Sequence, residues 1–204
     1  MRQNYESWVH GSSVLLERVG SPGAIDKASA LSCYGGHYGD LLGTGDMGGA
    51  ACFRIGWAAR FVMLDLGNGN APKSGSFWVH YAVPTFPIHS DTRSKAKRVF
   101  INYEVPRPST ISELSIGSVH VWDGNRNILR ADGVPRSADG FNGGISGTGT
   151  SAETGKKDRL LTVNVNQDVF FGVGVSLHIE ANTAKDGFLE IRGVGVEFES
   201  EDRT

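Results

Sequence analysis

The sequence predicts an all-β chain: a single antiparallel β-sandwich, jelly-roll-like, with long Gly-rich loops. Three observations lead there. Apolar residues recur with a period of two in at least five stretches. That is the pattern of strands with one buried face, and it suits an antiparallel sheet rather than a parallel one covered on both sides. Glycine is in excess, at 28 of 204 residues, about twice a usual share of roughly 7%. Helix-period patterning is nearly absent, and "AIDKASALSC" (24–33) is the one stretch able to make two turns, with Gly35-Gly36 to stop it.

The elements follow in order. In "FWVHYAVP", Phe77, Val79, Tyr81 and Val83 share a face, and in "RVFINYEV" Val99, Ile101, Tyr103 and Val105 do. "LLTVNVN" alternates Leu161, Val163 and Val165 with polar partners. "FFGVGVSLHIEA" alternates Phe171, Val173, Val175, Leu177 and Ile179 with small or polar ones. In "FLEIRGVGVEFE", Leu189 and Ile191 face inward, then Val194, Val196 and Phe198; a β-bulge at Gly193 accounts for the change of parity. Hairpins are expected through Asp123-Gly124 and Asp186-Gly187. One domain spans 1–204, with 20–75 read as a long, loop-rich insertion and 139–158 as a long loop. Seven glycines fall within 35–49 and six within 139–158, and loops of such length tend to be functional.

A chain of this size buries a sufficient core without covalent staples. Its two cysteines, Cys33 and Cys52, read as reduced thiols, with a disulfide between them as the alternative. A net charge of -2 gives no field favouring nucleic acid or an anionic membrane, so neither is expected as a partner. No apolar run opens the chain, and none is long enough to span a bilayer; a cytoplasmic protein, or one released without a signal peptide, is expected.

Three tryptophans and three histidines form a recurrent triplet: "WVH" at 8–10 and 78–80, and its reverse "HVW" at 120–122. Residues two apart on a strand share a face. Each valine therefore belongs to the core, and the pairs Trp8/His10, Trp78/His80 and Trp122/His120 belong to the opposite face. A solvated sheet would show Thr, Lys or Glu there. Three readings compete: a second apolar layer with hydrogen-bonded histidines, an interface with another copy of the chain, or a platform on which Trp stacks against a sugar while His supplies directional hydrogen bonds. Trp78, His80, His120, Trp122, Trp8 and His10 are the candidate ligand-binding residues.

The same motifs carry a resemblance. "WVHG" (8–11), "FWVHYAVPTFPI" (77–88), "RVFINYEV" (98–105), "VHVWDG" (119–124) and "FFGVGVSLHIEA…LEIRGVGVEF" keep the order of an uncharacterised family of small bacterial all-β proteins that open on Trp-Val-His-Gly. The chain is similar to that family over about half its length. It departs from the family in its long 20–75 segment and in "PTFPI", where a tighter Pro-Thr-Pro is usual. The resemblance implies a compact β-sandwich and brings no catalytic residue with it.

Other chemistry is set aside. "GTGDMG" (43–48) fits G-x-G-x-x-G formally but lacks the strand before and helix after that a nucleotide site needs, since "GGHYGDLL" reads as no strand and Ala50–Leu66 reads as β structure. His80, His120 and His178 lie mid-strand, with Glu180 on the face of His178, yet no H-x-H spacing supports a metal, and none is expected. "DLGNGN" (65–70) and "DGNRN" (123–127) are ordinary turn chemistry rather than calcium loops. "RSKAKR" (93–98) reads as a solvated loop, and His37 with Asp40 could be an acid/base pair, but no nucleophile is implied nearby. No cofactor and no catalytic residue is assigned. The reading is a non-catalytic binding module for carbohydrate, with a self-assembling homo-oligomeric subunit as the second alternative and a metal-dependent enzyme as the third.

Overall fold

The fold is that of a computed structural model, which describes residues 2–16, 39–42, 50–63, 75–85, 94–104, 114–132, 158–181 and 188–201. Twelve strands are described: β1 (Arg2–His10), β2 (Leu15–Leu16), β3 (Gly39–Leu42), β4 (Ala50–Ile55), β5 (Ala58–Met63), β6 (Gly75–Val83), β7 (Ser94–Glu104), β8 (Leu114–Asp123), β9 (Arg126–Asp132), β10 (Asp158–Val169), β11 (Val173–Ala181) and β12 (Phe188–Glu201). A single 3-10 turn, Gly11–Ser13, is the helical element among the described residues.

The strands make two antiparallel sheets that pack face to face. One runs β10-β7-β12-β5-β4-β3, with β1 also on β12; the other runs β2-β6-β11-β8-β9. From β6 onward the chain crosses between sheets at every connection except the β8–β9 hairpin. The resulting orders β5-β12-β7-β10 and β6-β11-β8-β9 are those of an eight-stranded jelly roll. The 14-residue β12 serves two neighbours along one side: Phe188–Ile191 pair with β5, and Gly193–Glu201 pair with β1. The register against β7 shifts between Ile191 and Gly193, where the parity of the sequence changes.

The core is the one the alternation demands. Val79, Ile101, Tyr103, Val121, Val163, Val175 and Leu177 are fully buried between the sheets. The Tyr81 hydroxyl is buried there without a hydrogen-bond partner among the described residues, and burial, with the Cys52 thiol beside it, pushes its pKa well above the ordinary value despite Arg54. Cys52 is buried in this core, and Cys33 lies outside the described residues.

Four expectations change. Segment 20–75 is not only an insertion, because β3, β4 and β5 lie within it, as the β reading of Ala50–Leu66 implies for the last two, and β5 is a strand of the jelly roll itself. "GGHYGDLL" holds strand β3, whose Gly39–Leu42 pair with Phe53–Ala50; its backbone pairs although glycine weakens the local preference. Most of the basic run is strand rather than loop: Ser94–Arg98 open β7, where Lys97 meets Glu199 at 3.1 Å and Arg98 pairs with Glu197. Cross-strand carboxylates explain why cations are tolerated there. Phe171, assigned to the inward face of β11, is instead 82% exposed, because β11 begins at Val173 and a bend over Phe170–Phe171 precedes it. The stretch 24–33, the 43–48 and 65–70 motifs, His37, most of 139–158 and the turn at Asp186-Gly187 lie outside the described residues.

Candidate functional site

The first triplet is a structural lock on the sheet that contains β12. Trp8 stands opposite Gly195, which stands opposite Phe100. The indole lies against the bare backbone there: a Cβ added at Gly195 would meet its ring at 2.5 and 2.6 Å. It runs nearly parallel to Phe100, at 11° and 5.7 Å between centroids, and its Nε1–H donates to Glu6 at 3.0 Å. Val9 packs on the core. His10 caps the 3-10 turn, its Nδ1 lying 3.3 Å from the Ser12 N–H and 2.8 Å from Oγ. Gly11 is buried so close to the Ile191 carbonyl that no side chain fits. Each residue of "WVHG" thus has a mechanical reason for its place.

The other two triplets meet. On β6, β11 and β8 the register sets Trp78, His178 and Ser118 in one row, and His80, Ser176 and His120 in the next. Ala82, Gly174 and Trp122 form the third row. Opposite them on the core side lie Val79, Leu177 and Val119. The rings form a continuous ladder: His178–Trp78 at 4.8 Å, Trp78–His120 at 4.6 Å and His120–Trp122 at 6.5 Å between centroids. All three contacts are tilted, between 32° and 59°, which favours edge-on contact over face-to-face repulsion. The Trp122 Cβ lies 3.7 Å from where a Gly174 side chain would begin, an ordinary contact distance.

Polar partners hold the imidazoles of this face. His80 Nδ1 is 2.8 Å from Ser176 Oγ. His120 Nε2 donates to Asp132 Oδ1 at 2.8 Å, and Arg130 donates to Oδ2 at 2.8 Å. The His120 hydrogen bond outweighs the cost of burial and, with Arg130, holds the Asp132 carboxyl below its ordinary pKa. His178 Nδ1 lies 3.8 Å from Glu180, whose carboxylate spreads over the space left by Gly117. His120 is buried; Trp78, His80, Trp122 and His178 are half-buried. The face therefore offers ordered rings with part of their surface open to water, rimmed by donors and acceptors.

The structure thus brings together Trp78, His80, His120 and Trp122, and places Trp8 and His10 on the outer face of the opposite sheet. It adds His178, Ser176, Asp132 and Arg130. Parity on "VSLHIE" puts Ser176, His178 and Glu180 on one face, but the cross-strand register that sets them among the tryptophans is not written in any single segment. Asp132 enters through the β8–β9 hairpin, where it pairs with Ser118. Among the described residues no three His, Cys, Asp or Glu side chains are grouped to hold a metal ion.

The Asp123-Gly124 turn braces the Trp122 end. Asp123 is fully buried, and its carboxylate accepts from the N–H of Phe171 at 2.7 Å, Phe170 at 3.0 Å and Gly172 at 3.3 Å. Arg126 adds a contact at 3.2 Å. Burial raises its pKa, but these backbone donors and Arg126 outweigh burial, and the net direction is downward. The loop 123–127 is thus a clasp whose carboxylate is already satisfied by the chain.

No protein-family model and no curated protein matches the chain. Likeness to solved structures is slight. A crystal structure of the Agl-KA catalytic domain aligns at 10% identity with a TM-score of 0.31, over 96% of this chain; the chain spans 27% of that protein's length. A structure described as manganese lipoxygenase of Gaeumannomyces graminis with part of zonadhesin of Komagataella pastoris aligns at 11% identity and a TM-score of 0.22, over 98% of this chain and 86% of that one. Neither likeness carries a functional argument.

Proposed function

We propose that the chain is a non-catalytic binding module whose β6-β11-β8 face takes a neutral carbohydrate. One observation carries the reading: four rings from three adjacent strands form a single ladder, anchored at His120 by Asp132, with His80 held by Ser176 on the same face, and left partly open. A pyranose presents an apolar C–H face and a rim of hydroxyls. Trp78 and Trp122 meet the first, and the imidazoles with the exposed rim of Arg130, Asp132 and Glu180 meet the second. Because the rings are already ordered, binding costs little side-chain entropy.

Affinity is modest on this account. Each stack contributes on the order of 1 kcal/mol beyond area burial, so two rings place binding nearer millimolar than nanomolar. Titration of the chain with a panel of linear neutral hexasaccharides of glucose, mannose and galactose tests it. Saturable binding to one of them, lost in Trp122→Ala while the β-rich circular dichroism is kept, supports the proposal. Silence across the panel refutes it.

Self-association is the second reading, favoured by a specific pair of residues. Phe171 is 82% exposed at a bend, and Leu160 is 38% exposed on β10, an edge strand among the described residues. Unpaired edges and exposed rings are where another copy would dock.

A further inference from the structure

We infer that the outer face of the other sheet carries a second saccharide platform, centred on Trp8, so that one chain binds sugar on both sides and cross-links a polymeric glycan. The inference rests on the carbohydrate reading of the Trp78/Trp122 face, and it adds a site and a valency to it.

Trp8 covers the glycine trench with one side of its indole and is still 43% exposed. Its geometry is fixed in advance by the glycine backbone beneath, by Phe100 alongside and by Glu6 on its N–H. With that N–H satisfied, an apolar ligand face can cover the ring without stranding a donor. The register surrounds it with groups of both kinds. Gly193, beside the ring, stands opposite Asn102, and Phe100 stands opposite Thr162. Glu6 and Arg98 occupy the next row on either side of Glu197. Amide, hydroxyl, carboxylate and guanidinium together match sugar hydroxyls, which both donate and accept. A planar heteroaromatic ligand would leave most of that rim unused.

The two platforms face away from each other, since Trp8 lies outside one sheet and Trp78 and Trp122 outside the other. No single short ligand can bridge them, whereas a polymer can join two chains.

The test is calorimetric titration of the full chain with the same hexasaccharide panel, alongside turbidity with the matching soluble polysaccharide. Two equivalents per chain are expected, falling to one in Trp8→Ala and to one in Trp122→Ala, and turbidity is expected with the wild type alone. Because Trp8→Ala uncovers the trench, the indole N–H resonance of Trp8 in the wild-type chain is followed as well; it should shift as sugar is added. One equivalent that depends on Trp122, with the Trp8 resonance unmoved, overturns the second platform and leaves the first standing. One equivalent that depends on Trp8 overturns both the cross-linking and the proposal for the Trp78/Trp122 face. No binding to any member of the panel overturns both proposals.

Discussion

Asp123→Asn removes one charge from a fully buried carboxylate and leaves its shape unchanged. In the native chain Oδ1 faces the N–H groups of Phe170, Phe171 and Gly172, while Oδ2 faces Phe170 N–H and the Arg126 guanidinium. An asparagine can keep its oxygen toward the first group. Its amide nitrogen then faces the Arg126 guanidinium donor to donor, while the Phe170 N–H keeps only its bond to the oxygen. Hydrogen bonds to a buried charged group are worth about 1.5–3 kcal/mol each, and stranding a donor costs about 1–3 kcal/mol. Arg126 is half exposed, so its share is discounted. A loss of about 2–4 kcal/mol follows, and with a urea slope of about 2 kcal/mol/M the midpoint falls by about 1–2 M at pH 7. The pH dependence fixes the cause. The folded pKa of Asp123 lies below its ordinary value, so its stabilisation is present above the unfolded pKa of about 3.9 and is lost as pH falls through the folded value. The gap between wild type and variant should therefore narrow as the pH is taken below about 4. Urea unfolding followed by far-ultraviolet circular dichroism at pH 7 and pH 3 measures both. A midpoint shift under about 0.2 M at pH 7, or a gap as wide at pH 3, refutes the clasp.

Gly11→Ala drives a Cβ into the Ile191 carbonyl, and backbone on both sides prevents relaxation; a loss above about 3 kcal/mol in urea unfolding is expected. Gly195→Ala is milder, because the Trp8 ring can lift away: it should cost about 1–3 kcal/mol and raise iodide quenching of Trp8 fluorescence. Trp57, 57% exposed in the β4–β5 turn, lies off both platforms, so Trp57→Phe should lower the iodide-accessible emission and leave sugar binding unchanged within twofold. On the self-association reading, sedimentation should give a mass that rises with concentration above 21.9 kDa and that Phe171→Ser lowers.

The layers of the fold were legible because burial on one face of a strand leaves a period-two mark within a single segment. Val79 between Trp78 and His80, and Val121 between His120 and Trp122, settle which way each ring points. The bulge at Gly193 was legible for the same reason, as a break in that period. Register across strands was not, since it depends on residues far apart in the chain. Nothing near "WVH" says that Trp78 meets His120 and His178, or that Trp8 belongs to the other sheet. The role of "GVG" in seating Trp8 is likewise visible only once β1 lies on β12. Strand β3 was not legible because glycine obscures the pattern, and the start of β7 because the carboxylates that neutralise Lys97 and Arg98 lie on β12.

Of the four indole N–H resonances of the chain, those of Trp78 and Trp122, assigned through Trp78→Phe and Trp122→Phe, decide the central proposal. In a titration with the neutral hexasaccharide panel, at least one member should shift both resonances saturably at millimolar concentration while that of Trp57 stays fixed. Resonances of Trp78 and Trp122 that stay in place across the whole panel would contradict it.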